Sequence, residues 1–282
     1  MNALELHGVT KRYPGFTLEN ITFSLPCGCI LGLIGENGAG KSTTIKLILD
    51  HMRPDEGEIQ VLGRSNRENF RETKEQLGVV LDEAGFPHSV TVAQVDAMMR
   101  HIYRDWDSSV FYGHISRFGL PKGKAFQDFS RGMKMKLSIA VALSHKARLL
   151  ILDEATSGLD PIVRDEILDL FYEFTRDEEH AILISSHIVS DLEKLCDYIA
   201  FLHRGKLLLC EEKDRLLESY GLLTCSKADL AALSPAAVAG KRECEYGVEA
   251  LIRRREAPRG LSLNRAGIED VIVYLAKEAR CE

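Results

Sequence analysis

The run Gly35-Glu36-Asn37-Gly38-Ala39-Gly40-Lys41-Ser42-Thr43 carries more chemistry than any other stretch of this chain. It fits G-x-x-x-x-G-K-[ST], the pattern of a phosphate-binding loop. Gly35, Gly38 and Gly40 permit backbone angles that turn successive N–H groups toward one point. Those donors, with a helix N-terminus behind them, make a seat for anions. Lys41 then reaches the β- and γ-phosphates of a nucleotide, the Ser42 hydroxyl is a ligand for Mg²⁺, and Asn37 and Thr43 complete the loop. The motif needs a strand before it and a helix after it. Residues 29–34 are a short apolar run of strand type, and residues 43–49 have helical spacing.

A second group of acids follows the same logic. Leu149-Leu150-Ile151-Leu152-Asp153-Glu154 is an apolar strand that delivers two carboxylates at its carboxyl end. In an open α/β sheet, ligands sit just outside such ends. Asp153 is placed to hold Mg²⁺, through a water, and Glu154 to accept a proton from an attacking water or to orient it. Acids also suit the start of a helix, but beside a complete phosphate loop that plainer reading is the weaker one. Phe129-Ser130-Arg131-Gly132-Met133-Lys134 precedes a helical run over residues 137–143. Ser130 has the chemistry of a helix cap. Its hydroxyl, the amides exposed at Gly132 and a helix N-terminus form a second anion site. The sequence leaves open whether the two phosphate-seeking elements meet within one chain or between two.

The elements that must position these groups alternate in type. Residues 3–9 and 17–25 read as strands with Pro14-Gly15 turning between them, and residues 59–63, 77–81, 149–152, 181–184 and 199–202 as further short strands. Residues 91–145 read as helical, with breaks at Gly119-Leu120-Pro121 and near Ser130. Apolar strands alternating with helices predict an α/β fold with a mostly parallel core sheet, and the helical stretch predicts an insert in it, about residues 85–145. Residues 1–220 form the main domain in this reading. Residues 221–282 read as a small C-terminal α+β module without a catalytic motif, ending in a helix over residues 267–279. Arg253-Arg254-Arg255 in that module is read as a solvated strand face rather than an anion-binding patch.

Composition narrows the class. In these 282 residues, 45% hydrophobic and 28% charged content is that of an ordinary globular protein. A net charge of −6 gives no ground for a nucleic-acid partner, and none is expected. No apolar run reaches the ~18–20 residues of a membrane span, and the N-terminus lacks the order of a signal peptide. A cytoplasmic location is the expectation, with any membrane role reached through a partner. Seven cysteines without a C-x-x-C pair read as thiols, not as a metal site.

The set of motifs in this order resembles the ATP-binding subunits of ABC transporters, over about residues 3–220. The parts are Tyr13 after the first strand, Walker A at Gly35 to Thr43, the signature at Phe129 to Met133, Walker B ending at Asp153, then Glu154, the D-loop Ser157-Gly158-Leu159-Asp160, and His187 after Ser185-Ser186. The resemblance implies a P-loop NTPase (RecA-like) core with an antiparallel β subdomain, and ATP and Mg²⁺ as cofactors. It implies that two subunits, copies or paralogues, pack head to tail around two ATP, and that transmembrane permease subunits hold the pair on the inner face of the membrane. Ser130 and Gly132 of one subunit would meet the γ-phosphate held by Lys41 of the other. Tyr13 resembles the residue that stacks on adenine, His187 the one that bonds the γ-phosphate, and Asp160 the acid that shapes the interface.

Two positions depart from the family pattern. The usual glutamine after the strand at residues 77–81 is absent, and the chain reads Asp82-Glu83. Asp82 aligns with it and remains a hard-oxygen ligand for Mg²⁺, with Glu83 as the alternative. In the signature, Phe129, Arg131 and Met133 replace three positions of Leu-Ser-Gly-Gly-Gln, while Ser130 and Gly132 remain. This version is similar to that of bacterial exporter ATPases. The favoured reading is therefore the ATP-hydrolysing subunit of an exporter. The alternative is an ABC-type ATPase of DNA repair or translation, although the coiled-coil insertion or the second motif set of such proteins is missing. A subunit that binds ATP without hydrolysing it fits poorly, because Lys41, Glu154 and His187 are all present.

Overall fold

Pro14 and Gly15 reverse the chain between β1 (Asn2–Tyr13) and β2 (Phe16–Pro26), an antiparallel pair running from Tyr13↔Phe16 back to Leu4↔Leu25. Both strands extend beyond the apolar stretches that betray them, because the polar ends pair across the turn. The computed structural model describes residues 1–68, 70–82, 85–244 and 247–279. The chain divides into two compact units, Met1–Leu207 and Leu208–Glu282, so the division falls ahead of the border expected near residue 220.

In the first unit the chain continues through β3 (Ile30–Ile34), α1 (Lys41–Ile48), β4 (Glu56–Val61), β5 (Arg64–Ser65), α2 (Phe70–Lys74) and β6 (Leu77–Val80). An insert of α3 (Val92–Ile102), α4 (Ser108–Arg117) and α5 (Arg131–Ala142) follows. Then come β7 (Leu149–Asp153), α6 (Pro161–Phe174), β8 (Ala181–Ser185), α7 (Val189–Leu195) and β9 (Tyr198–His203), which turns at Arg204-Gly205 into β10 (Lys206–Glu212). The strands join in one sheet, in the order β5-β4-β1-β2-β10-β9-β3-β8-β7-β6. The pairs β9-β3, β3-β8, β8-β7 and β7-β6 are parallel. Every residue of β3, β7 and β8 is buried, which is why they read as unbroken apolar runs and not as alternating ones. The fold is thus α/β, with a parallel core, an antiparallel flank and a helical insert.

The insert is capped and braced by polar side chains. Asp107 accepts from the amides of Ser109 and Val110 to start α4. Gln94 accepts from the Thr91 amide at 2.9 Å at the start of α3. Asp96, buried on α3, accepts from Trp106 Nε1 at 2.8 Å and from the Ser108 hydroxyl at 2.6 Å. Arg100 lies 3.4 Å from its other oxygen, so the buried charge is compensated. Trp106 also packs its ring on Phe111, at 5.2 Å between centroids.

His145 ties the end of this insert to the sheet. It is buried, lies over the Tyr103 ring at 3.9 Å, and donates from Nε2 to the Leu77 carbonyl of β6 at 3.0 Å. Burial holds its pKa below the ordinary 6.5, so the folded chain takes up this proton less readily than the unfolded one. The stability it contributes is present above that value and declines as the pH falls below it. The thermal midpoint should drop more between about pH 7 and about pH 5 in the wild type than in His145→Gln, whose amide donates without gaining charge. Equal drops would remove His145 as the source.

The second unit continues from β10 through α8 (Lys213–Ser219), β11 (Tyr220–Cys225), α9 (Lys227–Ala231), β12 (Val238–Cys244), β13 (Gly247–Arg253), β14 (Asn264–Arg265) and α10 (Ile268–Glu278). Its antiparallel sheet has the order β12-β13-β11-β14. Helix α10 lies on β12 at Gly240, where a Cβ would come within 2.9 Å of the Tyr274 Cβ. The basic run departs from the expected strand face. Only Arg253 belongs to a strand, and it donates to the carbonyls of Ala236 and Val238 at 3.0 and 3.2 Å. Arg254 begins a 3₁₀ turn and donates to the Tyr220 carbonyl at 2.9 Å. These two guanidiniums serve as caps for peptide oxygens, which sequence pattern does not reveal.

Candidate active site

The loop between β3 and α1 closes tightly against the sheet. A Cβ at Gly35 would sit 2.5 Å from the Leu202 carbonyl oxygen of β9, so no side chain fits there. Gly40 has φ +114° and leads directly into α1, which begins at Lys41. The Lys41 ammonium is buried and donates to the Gly35 carbonyl at 2.7 Å, and it lies 3.7 Å from Glu154 Oε1. Asn37, Gly38, Gly40, Lys41, Ser42 and Thr43 line a cavity of about 770 Å³, whose other walls carry Glu154 and His187. The structure thus brings together most of the residues that the loop and the Walker B strand single out.

Strand register sets the acids. Asp153 pairs with Ser185 across β7 and β8. The Ser185 hydroxyl donates to Asp153 Oδ1 at 2.5 Å, and the Glu154 amide donates to the Ser185 carbonyl at 3.1 Å. Ser185 therefore fixes both acids, a role the sequence reading did not give it. Glu154 has φ +54°, a left-handed conformation for a residue with a Cβ. Such backbone costs on the order of 1–3 kcal/mol and is kept where the surroundings impose it. It turns the carboxylate away from the strand direction, toward Lys41 on one oxygen and His187 on the other. His187 Nδ1–H donates to Glu154 Oε2 at 2.5 Å. The carboxylate thus sits between two cationic or donor groups, facing the cavity.

Other expected residues lie elsewhere. Ser130 is exposed and caps α5, its hydroxyl accepting from the Met133 amide at 3.3 Å. Neither Ser130 nor Gly132 is on the cavity wall, but Arg131 between them is. Asp160 is the exposed N-cap of α6, accepting from the Val163 amide at 3.1 Å ahead of Pro161. Tyr13 is exposed, and its hydroxyl lies 2.9 Å from Met52 Sδ. The aromatic on the cavity wall is Phe16, whose ring centroid is 6.4 Å from that of Tyr13. Asp82 reaches the cavity, but Arg131 Nη2 donates to its Oδ1 at 2.6 Å. Glu83 lies outside the described residues.

With this geometry in place, the comparisons decide the family. The family model for ABC transporters matches residues 18–157. The bacitracin transport ATP-binding protein BcrA of Enterococcus faecalis is 34% identical over 208 residues, 73% of this chain and 68% of that protein. The chain belongs to the ABC transporter family. This ABC subunit is also 28% identical over 297 residues to the linearmycin resistance ATP-binding protein LnrL of Bacillus subtilis (strain 168), a match that spans 98% of this chain and 90% of that protein. That likeness therefore includes the second unit. A solved ATP-binding subunit of an ABC transporter superposes with a TM-score of 0.70 at 27% identity, over 77% of this chain and 92% of that chain. The ABC subunit binds and hydrolyses ATP, and relatives named as bacitracin and lantibiotic transport ATP-binding proteins leave the repair- or translation-factor reading without support.

Proposed function

We propose that this ABC subunit works as half of a head-to-tail pair that closes over two MgATP and drives a separate membrane-spanning permease. One observation carries this reading. Lys41, Glu154 and His187 share a cavity, whereas Ser130 and Gly132 stand at the exposed start of α5, off its wall. A helix N-terminus with a hydroxyl and free amides seeks an anion, and the reading gives it the γ-phosphate held on a second subunit. Among the described residues no helix is long and apolar enough to cross a membrane. The reading places the path through the membrane in another chain, and this subunit on its cytoplasmic face.

Within the cavity the roles follow from chemistry. Backbone amides of the loop and the Lys41 ammonium hold the phosphates, and the Tyr13–Phe16 corner meets the adenine face. The Ser42 hydroxyl on the cavity wall and the Asp153 carboxylate at the end of β7, next to Glu154, are hard oxygen donors, a pair that fits Mg²⁺. The ion, when bound, neutralises charge on the terminal phosphates. Glu154 takes the proton of the attacking water, and His187 orients Glu154. Asp160 lies on the seam between subunits. The cargo is read as an antimicrobial compound, because relatives carry the names of bacitracin transport and linearmycin resistance.

The shared-site geometry has a direct test. Lys41→Ala and Ser130→Arg each disable both sites of a homodimer. In a mixed dimer one site carries both lesions and its twin is intact. Random pairing then restores about a quarter of the wild-type sites. Phosphate release should return on mixing in the presence of the permease. Two inactive proteins that stay inactive together would rule out sites built from both subunits.

A further inference from the structure

The second unit holds a cavity of its own, of about 600 Å³, between α9 and the outer strand β12. Its volume is that of a small-molecule site. Val248, Ala250 and Ile252 alternate along β13 onto one face of the sheet. Ala250 and Ile252 are fully buried with Ala237, against Leu223, Leu230 and Leu233. Helix α9 is only five residues long and is followed by the small Ala232, so it covers that face in part. Leu230, Leu233 and Val238 are half-buried and, with Val248, give the cavity an apolar floor. Most charges on the wall are engaged. Lys227 and Glu243 pair at 2.6 Å and tie α9 to β12. Arg242 is held by Glu249 at 2.6 Å and lies over the Tyr274 ring. Two charges of opposite sign are left. Lys241 and Glu278 both line the cavity, and neither has an ion-pair partner among the described residues. Glu278 is the last residue of α10, where the helix dipole already concentrates negative charge and favours a cation.

We propose that this cavity binds a short apolar peptide with free termini, its carboxylate on Lys241 and its ammonium on Glu278. Such a peptide has an apolar body and one charge of each sign, which is the complement of the wall. Its side chains leave water on the floor of Leu230, Leu233, Val238 and Val248. Its ammonium offsets both the Glu278 carboxylate and the negative end of α10. A fatty acid would leave Glu278 without a counter-charge, and a nucleotide would bring charge of one sign only. Exposed single ion pairs add little energy. The apolar floor therefore supplies the affinity, and the two charges select the ends.

The test is a ligand-observed NMR titration of the full chain with tri-leucine as the probe. Tri-leucine should bind and tri-serine should not. N-acetyl tri-leucine and tri-leucine amide should each bind roughly three- to fivefold more weakly, the loss of one exposed ion pair. Lys241→Gln should bind the free acid and the amide equally and still prefer the free amine. Glu278→Gln should show the opposite pattern. Ala231→Trp, at an exposed position of α9 on the cavity wall, should fill the space and abolish binding with circular dichroism unchanged. A wild-type chain that ignored tri-leucine, or bound its blocked forms equally well, would overturn the proposal. So would end preferences that survive both charge variants. Decanoate binding as tightly as tri-leucine would make the occupant a fatty anion and overturn it too.

Discussion

Glu154→Gln is expected to lower steady-state phosphate release by roughly 10²–10⁴-fold, the usual weight of a general base, while nucleotide stays bound. The amide keeps the size of the side chain and can still accept from His187 Nδ1, which stands 2.5 Å from Glu154 Oε2. What it loses is the basicity to take a proton and the charge that faces Lys41 at 3.7 Å. With that charge gone, Lys41 is more available to phosphate, so the trapped ATP complex should last longer and pair more readily. Dimer mass by light scattering under MgATP checks the second half of the prediction. A variant that turned over like the wild type would take Glu154 out of the chemistry. His187→Ala should be less severe, since it removes a group that positions the carboxylate and leaves the carboxylate itself.

Lys41→Met should have the second largest effect, on binding and not on turnover alone. The ammonium is buried against the Gly35 carbonyl at 2.7 Å, so its position is already fixed when phosphate arrives. Charge-assisted hydrogen bonds are worth about 1.5–3 kcal/mol each, so losing them should weaken nucleotide affinity roughly a hundredfold. Titration with a fluorescent ATP analogue measures it. Circular dichroism separates this from unfolding, because Met fills a similar volume. A loss smaller than about threefold would mean that the loop amides alone hold the phosphates.

These two side chains were legible in the sequence because local pattern places them. A glycine-spaced loop after an apolar strand announces its own geometry, and Asp153-Glu154 end a run that can only be a buried strand. Ser130 could likewise be read as a cap from its position ahead of an apolar helix. The contacts that complete the cavity join residues far apart in the chain, and no spacing rule reaches them. Ser185 meets Asp153 only through the β7–β8 register. Arg131 meets Asp82 across 49 positions. Phe16 shares the wall with Lys41 because β2 passes beside the loop, where a Cβ at Gly40 would come within 2.7 Å of Leu18 Cδ1. The left-handed backbone of Glu154 leaves no trace in composition, since it is imposed by the hydrogen bonds of its amide to Ser185. Of the basic run, Arg254 and Arg255 are exposed as expected, but the strand ends at Arg253, and the peptide-oxygen partners of Arg253 and Arg254 are likewise contacts that no spacing rule reaches.

The indole anchored on Asp96 has a practical use. It belongs to the sole tryptophan of the chain, Trp106. Intrinsic fluorescence excited at the red edge of the absorption band therefore originates in the helical insert and nowhere else. Any swing of that insert as a nucleotide enters should register as a shift in emission, in an unlabelled protein and in real time.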